Sequence, residues 1–461
     1  MATTTQPRSA PIPRPRGVIA TIAAARGLTG DPCPTLDALG GELGATFEIG
    51  TGPVRIVVIG KPEHLTEIYA TPPDAFLWGF RLNVLRFYVG DGSTIVSDGD
   101  DHRRRRGAVQ PGFARRRLDG WAPMIVAEAD RTIDETLLPQ AGVIDLFPIG
   151  RRLVLRIVLN ALFGAGFDDR AEEIDRLIEP AKTYLEQPAI RQVPHPFPYS
   201  RRARTRAARA GFDRLIDAEV AARRARPTPE SGDVLDLLLA VGADPHSGFS
   251  DSEIRDQVVT LIAAGYDTTT SSLGWTLLRA AGTPGVWQRL RAEADEGLGR
   301  VEPGPATLQL LPYARAVVRE TLRLHPAGVF SPRQVTRDIA LDGHTIRRRS
   351  VVLLCPYLAG RDPNAWPDPL RFDPDRHLSP DGAETVPLNP AWVPFGRGPR
   401  HCIGFALAEM ELTLLLARFA QRLDLELASS KLPVPYGMVV NRPAGGVRAS
   451  VEPRAEVAPL G

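Results

Sequence analysis

The sequence predicts a mainly α fold, one large α-dominated domain with small β-sheets at one side. Three observations carry that expectation. From about residue 100 to 325 the apolar spacing is helical and β-branched runs are few. One helical stretch, 250–282, would run about 45 Å at 1.5 Å per residue, enough to cross a whole domain. Strand signals are confined to short runs near residue 50, around 333–355 and at the end of the chain, and no linker sets off a second domain.

Bulk properties narrow the class. The chain has 461 residues, 43% of them hydrophobic, and a formal net charge of +2. A sizeable core is available, and the near-neutral balance makes no global case for nucleic-acid binding or membrane adsorption. Only Lys61, Lys182 and Lys431 are lysines; the other basic residues are arginine. Three cysteines, Cys33, Cys355 and Cys402, do not make a disulfide framework. They suit a reducing compartment, so a cytoplasmic protein is expected. No apolar run reaches the roughly 18–20 residues that span a bilayer, so no transmembrane anchor is expected.

Taken in order, residues 1–16 read as a flexible Pro-rich leader and 17–461 as the folded domain. The run "GVIATIAAA" after Arg14 and Arg16 loosely imitates a signal peptide but is short and Ala-rich. "ATFEIGTGPVRIVVIG" holds two strand-like runs around Gly50, Thr51, Gly52 and Pro53, which predicts a hairpin. In the 250–282 helix, Ser250 and Glu253 fit a capping box, and Gly282 before Pro284 fits a stop. Pro312 opens a helix that ends before Pro326. Strands return in "RQVTRDIALDGHTIRRRSVVLLC", with a turn at Asp342 and Gly343. A loop rich in Pro, Asp and Trp (361–394) leads to Cys402, a helix over about 404–422 and short final strands.

Three segments carry chemistry. In "AAGYDTTTSS" of the long helix, Gly265 costs about 1 kcal/mol relative to Ala, and Thr268 to Ser272 can bond back to carbonyls four residues earlier and bend the helix. This suits a mildly polar patch on a core helix. It equally suits a groove where Ala264 and Gly265 let something flat approach, and where Asp267 and Thr268 set an acid beside a hydroxyl. In "PYARAVVRETLRLHP", Glu320 and Arg323 share a face at i,i+3 among apolar neighbours; buried, the pair needs further partners, and Arg376 is a candidate. In "FGRGPRHCIG" (395–404), Cys402 stands just before a helix, near Arg397, Arg400 and His401, with Gly396, Gly398 and Gly404 allowing tight backbone and Phe395 able to shield the sulfur. Amides, a helix N-terminus and cations lower a thiol pKa. No second Cys or His lies at zinc-ligand spacing. A nucleophilic cysteine stays open, and a thiolate as sole protein ligand suits haem iron.

These segments together resemble the cytochrome P450 family. "FGRGPRHCIG" resembles its haem-binding signature F-x-x-G-x-x-x-C-x-G, and Ala264 to Thr269 its oxygen-activation motif. Glu320 to Arg323 resembles its E-x-x-R, and "PLRFDPDR" (369–376) its P-x-x-F-x-P-x-R. The four stand in the family's order across nearly the whole chain. The resemblance implies haem b with Cys402 as axial iron ligand, and Phe395, Gly398, Gly404, Ala264 and Gly265 around the cofactor. It implies His102, Arg106, Arg333 and Arg400 at the propionates, and Glu320, Arg323 and Arg376 as a structural network. It further implies a monooxygenase that places one oxygen atom from O2 into a lipophilic small molecule: a fatty acid, terpenoid, steroid or polyketide-like compound. Asp267 and Thr268 would deliver protons.

No reductase is fused, so electrons are expected from a separate ferredoxin- or flavodoxin-type partner. The arginines at 103–105, 115–117 and 397 are a candidate docking face, and a monomer is expected. By analogy, pocket walls would come from 76–90, 261–264, 327–330 and 437–440. Arg81 and Arg86 would more readily face solvent than substrate. Residues 189–211 would form a broken, mobile lid with solvated arginines. The rival class is a non-catalytic haem-binding sensor, which the intact Asp267–Thr268 pair argues against; His401 has no assigned role.

Overall fold

The capping box at Ser250 forms. Ser250 Oγ accepts from the Glu253 N–H (3.2 Å), Glu253 Oε2 accepts from the Ser250 N–H (3.1 Å), and the helix runs Asp251–Gly282. In the computed structural model, which describes residues 11–454 apart from 52–53, 81–82, 165–166, 168–169, 227–232, 244–247, 299–302, 305–306 and 386–387, this helix is the axis of the fold. Helices Leu146–Phe163, Arg201–Ala225, Pro312–Leu324 and Phe405–Arg422 all pack against it. Most of its residues are buried, the polar ones among them, such as Asp256, Gln257 and Asp267, held by hydrogen bonds or ion pairs. Leu153, Val154, Ile157 and Val158 face it from one helix, Val317 and Val318 belong to another, and Leu414 and Leu415 to a third.

The β-structure is small and peripheral. Strands Thr46–Thr51, Val54–Ile59, Val351–Leu354, Ser331–Val335 and Phe76–Leu77 form one sheet in that spatial order. Its first two strands pair as the expected hairpin, down to Thr51 opposite Val54; the turn residues Gly52 and Pro53 lie outside the described residues. Asp342 (φ 44°) and Gly343 (φ 75°) join Ile339–Leu341 to His344–Ile346, the positive dihedrals a tight two-residue hairpin turn requires. Val143–Asp145, Arg448–Pro453 and Leu423–Leu427 make a second sheet, and Pro435–Tyr436 pairs with Arg442–Pro443. Of the segment expected to be a flexible leader, residues 11–16 are described. Ile12 is buried, and Pro13 O accepts from the Glu48 N–H (2.8 Å), so this part is docked on the first sheet. Among the described residues no helix is long and apolar enough to cross a membrane.

Candidate active site

Cys402 closes a tight loop. Its N–H donates to Phe395 O (2.9 Å), and the bend needs Gly396 (φ 68°) and Gly398 (φ 71°). Phe395 packs edge-on against Trp392 and Phe405. The helix Phe405–Arg422 follows, with Gly404 as its N-cap. Cys402 is accessible although nearby Leu407 and Met410 are buried, which places it on the wall of an interior cleft. The segment's own cations do not ionise the thiol. Burial pushes it up, against a backbone hydrogen bond from Gly404 and the charge of Arg106. Arg397 instead donates to Pro390 O (2.8 Å), so the cation at the sulfur comes from the Gly99–Val109 helix and not from the loop. A metal ion held at this sulfur would supply the charge that the loop's own cations do not.

Cations converge beside this loop. Burial, then the charges of Arg400 and Arg106, lower His102 to about 4. Burial likewise lowers Arg106, against the Cys402 sulfur, and takes Arg333 and Arg400 to about 10 each. The Arg333 and Arg400 guanidiniums sit 4.4 and 4.0 Å from the Trp78 ring centroid. Arg400 pairs with Asp98 (3.1 Å), which also accepts from the Trp78 and Gly79 N–H groups. Among the described residues Asp98 is the only carboxylate paired with any of these four, and the buried Arg333 Nε has no hydrogen-bond partner. Trp78 lies in the 76–90 stretch expected to wall the pocket, whereas Asp98 escaped sequence reading because it belongs to no motif.

The long helix presents the opposite character. Ala264 is exposed between buried Ile262 and Tyr266, and Thr268 is half-buried with its Oγ1 donating to Ala264 O (2.6 Å). Thr270 and Ser272 bond back in the same way, to Tyr266 O (2.7 Å) and Thr268 O (2.9 Å). A Cβ built on Gly265 would stand 3.5 Å from both Val158 methyls, an ordinary van der Waals contact, so its side-chain direction is towards helix Leu146–Phe163. The small residue on the open wall is Ala264. Asp267 is buried and ion-paired with Arg442, a partner 175 residues away that no local pattern announces.

The Glu320–Arg323 pair is fully buried and bidentate. Arg323 Nε and Nη2 each donate 2.7 Å to a Glu320 carboxylate oxygen. Arg376 Nε (2.9 Å) and the Asp373 N–H (2.9 Å) donate to Glu320 Oε1, and His377 Nε2 lies 3.0 Å from Oε2. Arg323 also donates to the carbonyls of Gly360, Pro369 and Arg371. Burial works to raise Glu320, yet hydrogen bonds from Arg323 and His377 hold it at about 2. His377 adjoins Arg376 in the same loop; that adjacency was the signal available for it.

Other arginines read as solvated are tied down. Arg104 and Arg105 both pair with Glu253, and Arg105 is 11% exposed. In the expected lid, Arg209 pairs with Asp213 and Asp256, and Arg202 lies 3.8 Å over the Phe87 ring. Arg86 pairs with Asp91; Arg81 lies outside the described residues.

The group implied by the resemblance fits this geometry. A planar dianionic porphyrin needs an open thiol, a small residue on a facing wall and cations at its carboxylates. The accessible Cys402, the exposed Ala264 and the guanidiniums of Arg106, Arg333 and Arg400 beside a neutral His102, with one carboxylate paired among them, meet those needs, and the orphaned Arg333 Nε is the donor that most requires an anion.

Comparison with known proteins agrees. The Cytochrome P450 family model matches residues 14–447. Cyclooctatin synthase of Streptomyces melanosporofaciens is 35% identical over 423 residues, covering 89% of each chain. Cyclooctat-9-en-7-ol 5-monooxygenase of the same organism is 30% identical over 384 residues, 82% of each. A protein of Mycobacterium tuberculosis provisionally named cytochrome P450 139 is 32% identical over 400 residues, 86% of this chain and 89% of its own. In architecture the chain is similar to the retinoic-acid-bound cyanobacterial CYP120A1, with a TM-score of 0.81 and 23% identity over 93% of this chain and 96% of the other. With its fold, cysteine loop and buried Glu320–Arg323 network in place, the chain belongs to the cytochrome P450 family and is a haem-iron monooxygenase.

Proposed function

We propose that Cys402 is the axial ligand of the haem iron, that His102, Arg106, Arg333 and Arg400 hold the propionates, and that the substrate is a lipophilic small molecule. The observation that supports this best is the convergence of three guanidiniums and the neutral His102 beside an accessible thiol, with Asp98 the only carboxylate paired among them in the described residues. The haem supplies redox chemistry with O2. The protein binds and orients it, keeps the thiol in a desolvated loop, and sets the Thr268 hydroxyl and Asp267 carboxylate on the helix opposite. Thr268 Oγ1 donates to Ala264 O, which leaves its lone pairs to accept a proton and hand one on. A relative named for oxidising cyclooctat-9-en-7-ol makes unsaturated alcohols the starting point for a substrate search.

Electrons come from a separate ferredoxin- or flavodoxin-type donor. Arg115 and Arg116 are exposed and carry no ion pair among the described residues, whereas residues 103–105 are all paired with carboxylates. The short turn ending at Phe113, just before Arg115, touches the Cys402 loop, with Phe113 3.7 Å from a Cβ built on Gly404. An acidic donor docking on Arg115 and Arg116 sits close to the sulfur. The test is the absorbance of the reduced CO complex. A strongly red-shifted Soret band that Cys402→Ala abolishes supports thiolate ligation; purified protein that takes up no haem overturns the reading. Spin-state shifts across a panel of lipophilic compounds then find the substrate class.

A further inference from the structure

The segment 437–442 joins three parts of the fold that the chain order keeps far apart. Arg442, 5% exposed, spans two carboxylates. Its Nε reaches Asp267 Oδ1 (3.4 Å), its Nη2 pairs with Asp267 Oδ2, and its Nη1 donates to Glu186 Oε1 (2.9 Å). Glu186 caps the end of helix Ala171–Leu185, and its carboxylate accepts three consecutive amides: Met438 (2.5 Å), Val439 (3.2 Å) and Val440 (3.3 Å). Gly437 (φ 108°) makes this possible, because a Cβ there would run into Val440 O and stand 3.2 Å from Glu186. Asn441 O accepts from Ser271 Oγ and from Trp275 Nε1 (3.0 Å), and its N–H donates to Ala327 O (2.9 Å).

We propose that Arg442 is a positioning residue for the monooxygenase reaction: with Glu186 it clasps Asp267 and the turn 437–440 into one unit, so the acid of the long helix is held from outside that helix. This rests on the role proposed above for Asp267. An acid contributes only when held in reach of its proton acceptor. A helix backbone sets Asp267 Cα, but its carboxylate has no anchor on its own helix and takes its orientation from Arg442. The buried Asp267 and the part-buried Glu186 share one guanidinium, so loss of Arg442 leaves both uncompensated and loosens both ends of the clasp.

The test uses haem-loaded protein. Arg442→Gln is expected to cut product formed per electron pair about 10-fold, less than the roughly 10²–10⁴-fold that a general acid contributes, because Asp267 itself is kept. In an Asp267→Asn background the same change should cost nothing further, because Arg442 acts through Asp267. An equal loss in both backgrounds shows a general structural role and overturns the proposal. Arg442→Lys, which still bridges two carboxylates, is expected to restore most of the coupling. Independently of turnover, Glu186→Gln should speed hydrogen exchange at the Met438, Val439 and Val440 amides several-fold; unchanged exchange overturns the clasp, and this variant carries the test where Arg442→Gln does not fold. The reduced CO band separates the layers. With the band present, contrary results sink the clasp alone; with no band, the thiolate reading falls and takes the catalytic role of the clasp with it.

Discussion

Glu411 lies in the second turn of the Phe405–Arg422 helix, 1% exposed, with no hydrogen-bond partner on Oε1 among the described residues. Burial alone pushes its carboxyl from the ordinary 4.5 to about 8. Between those values the folded protein holds a proton that the unfolded chain releases. Stability is therefore lost as pH rises through that window, at up to about 1.4 kcal/mol per pH unit. Glu411→Gln keeps the shape and removes the titration. From pH 5.5 to 8.5 the window covers about 2.5 pH units, so the variant should gain about 3 kcal/mol on the wild type. The assay is urea unfolding of both haem-loaded proteins at each half pH unit, taken as a difference so that all other titrating groups cancel. A difference that stays flat across that range refutes the reasoning. It would mean that the folded carboxyl is either paired or ionised normally.

Three further outcomes follow from the same physics. Glu320→Gln strips the charge that compensates Arg323 and Arg376 and should cost about 3–5 kcal/mol, read as lost soluble haem-loaded protein or a lower urea midpoint. Because Glu320 is held at about 2, its contribution is complete above the unfolded value near 4.5 and fades as pH falls towards 2, so the variant should lose that acid sensitivity. Arg333→Met should speed haem transfer to an acceptor protein about 10- to 100-fold, matching a charged hydrogen bond of about 1.5–3 kcal/mol, because among the described residues its Nε has no hydrogen-bond partner and is left for the haem. Thr268→Ala should lower product per electron consumed about 10-fold or more; unchanged coupling means that the hydroxyl takes no part.

What could be read from the chain was local. The capping box at Ser250, the i,i+3 spacing of Glu320 and Arg323, the turn at Asp342 and Gly343 and the glycine bend before Cys402 each depend on residues a few positions apart, whose geometry the backbone dictates. The family pattern rested on the order of such local signatures. Tertiary structure alone decided the rest. It turned Gly265 towards Val158 and left Ala264 on the open wall, because a helix face is assigned by what packs against it. It brought Arg106 to the sulfur, and burial then outweighed that cation. It paired Asp267 with Arg442, buried Glu411 unpartnered, and took Arg104, Arg105 and Arg209 out of solvent. The physical reason is common to all of these. Desolvation and long-range ion pairing depend on which elements meet in space, and residues more than a hundred positions apart carry no local record of that meeting.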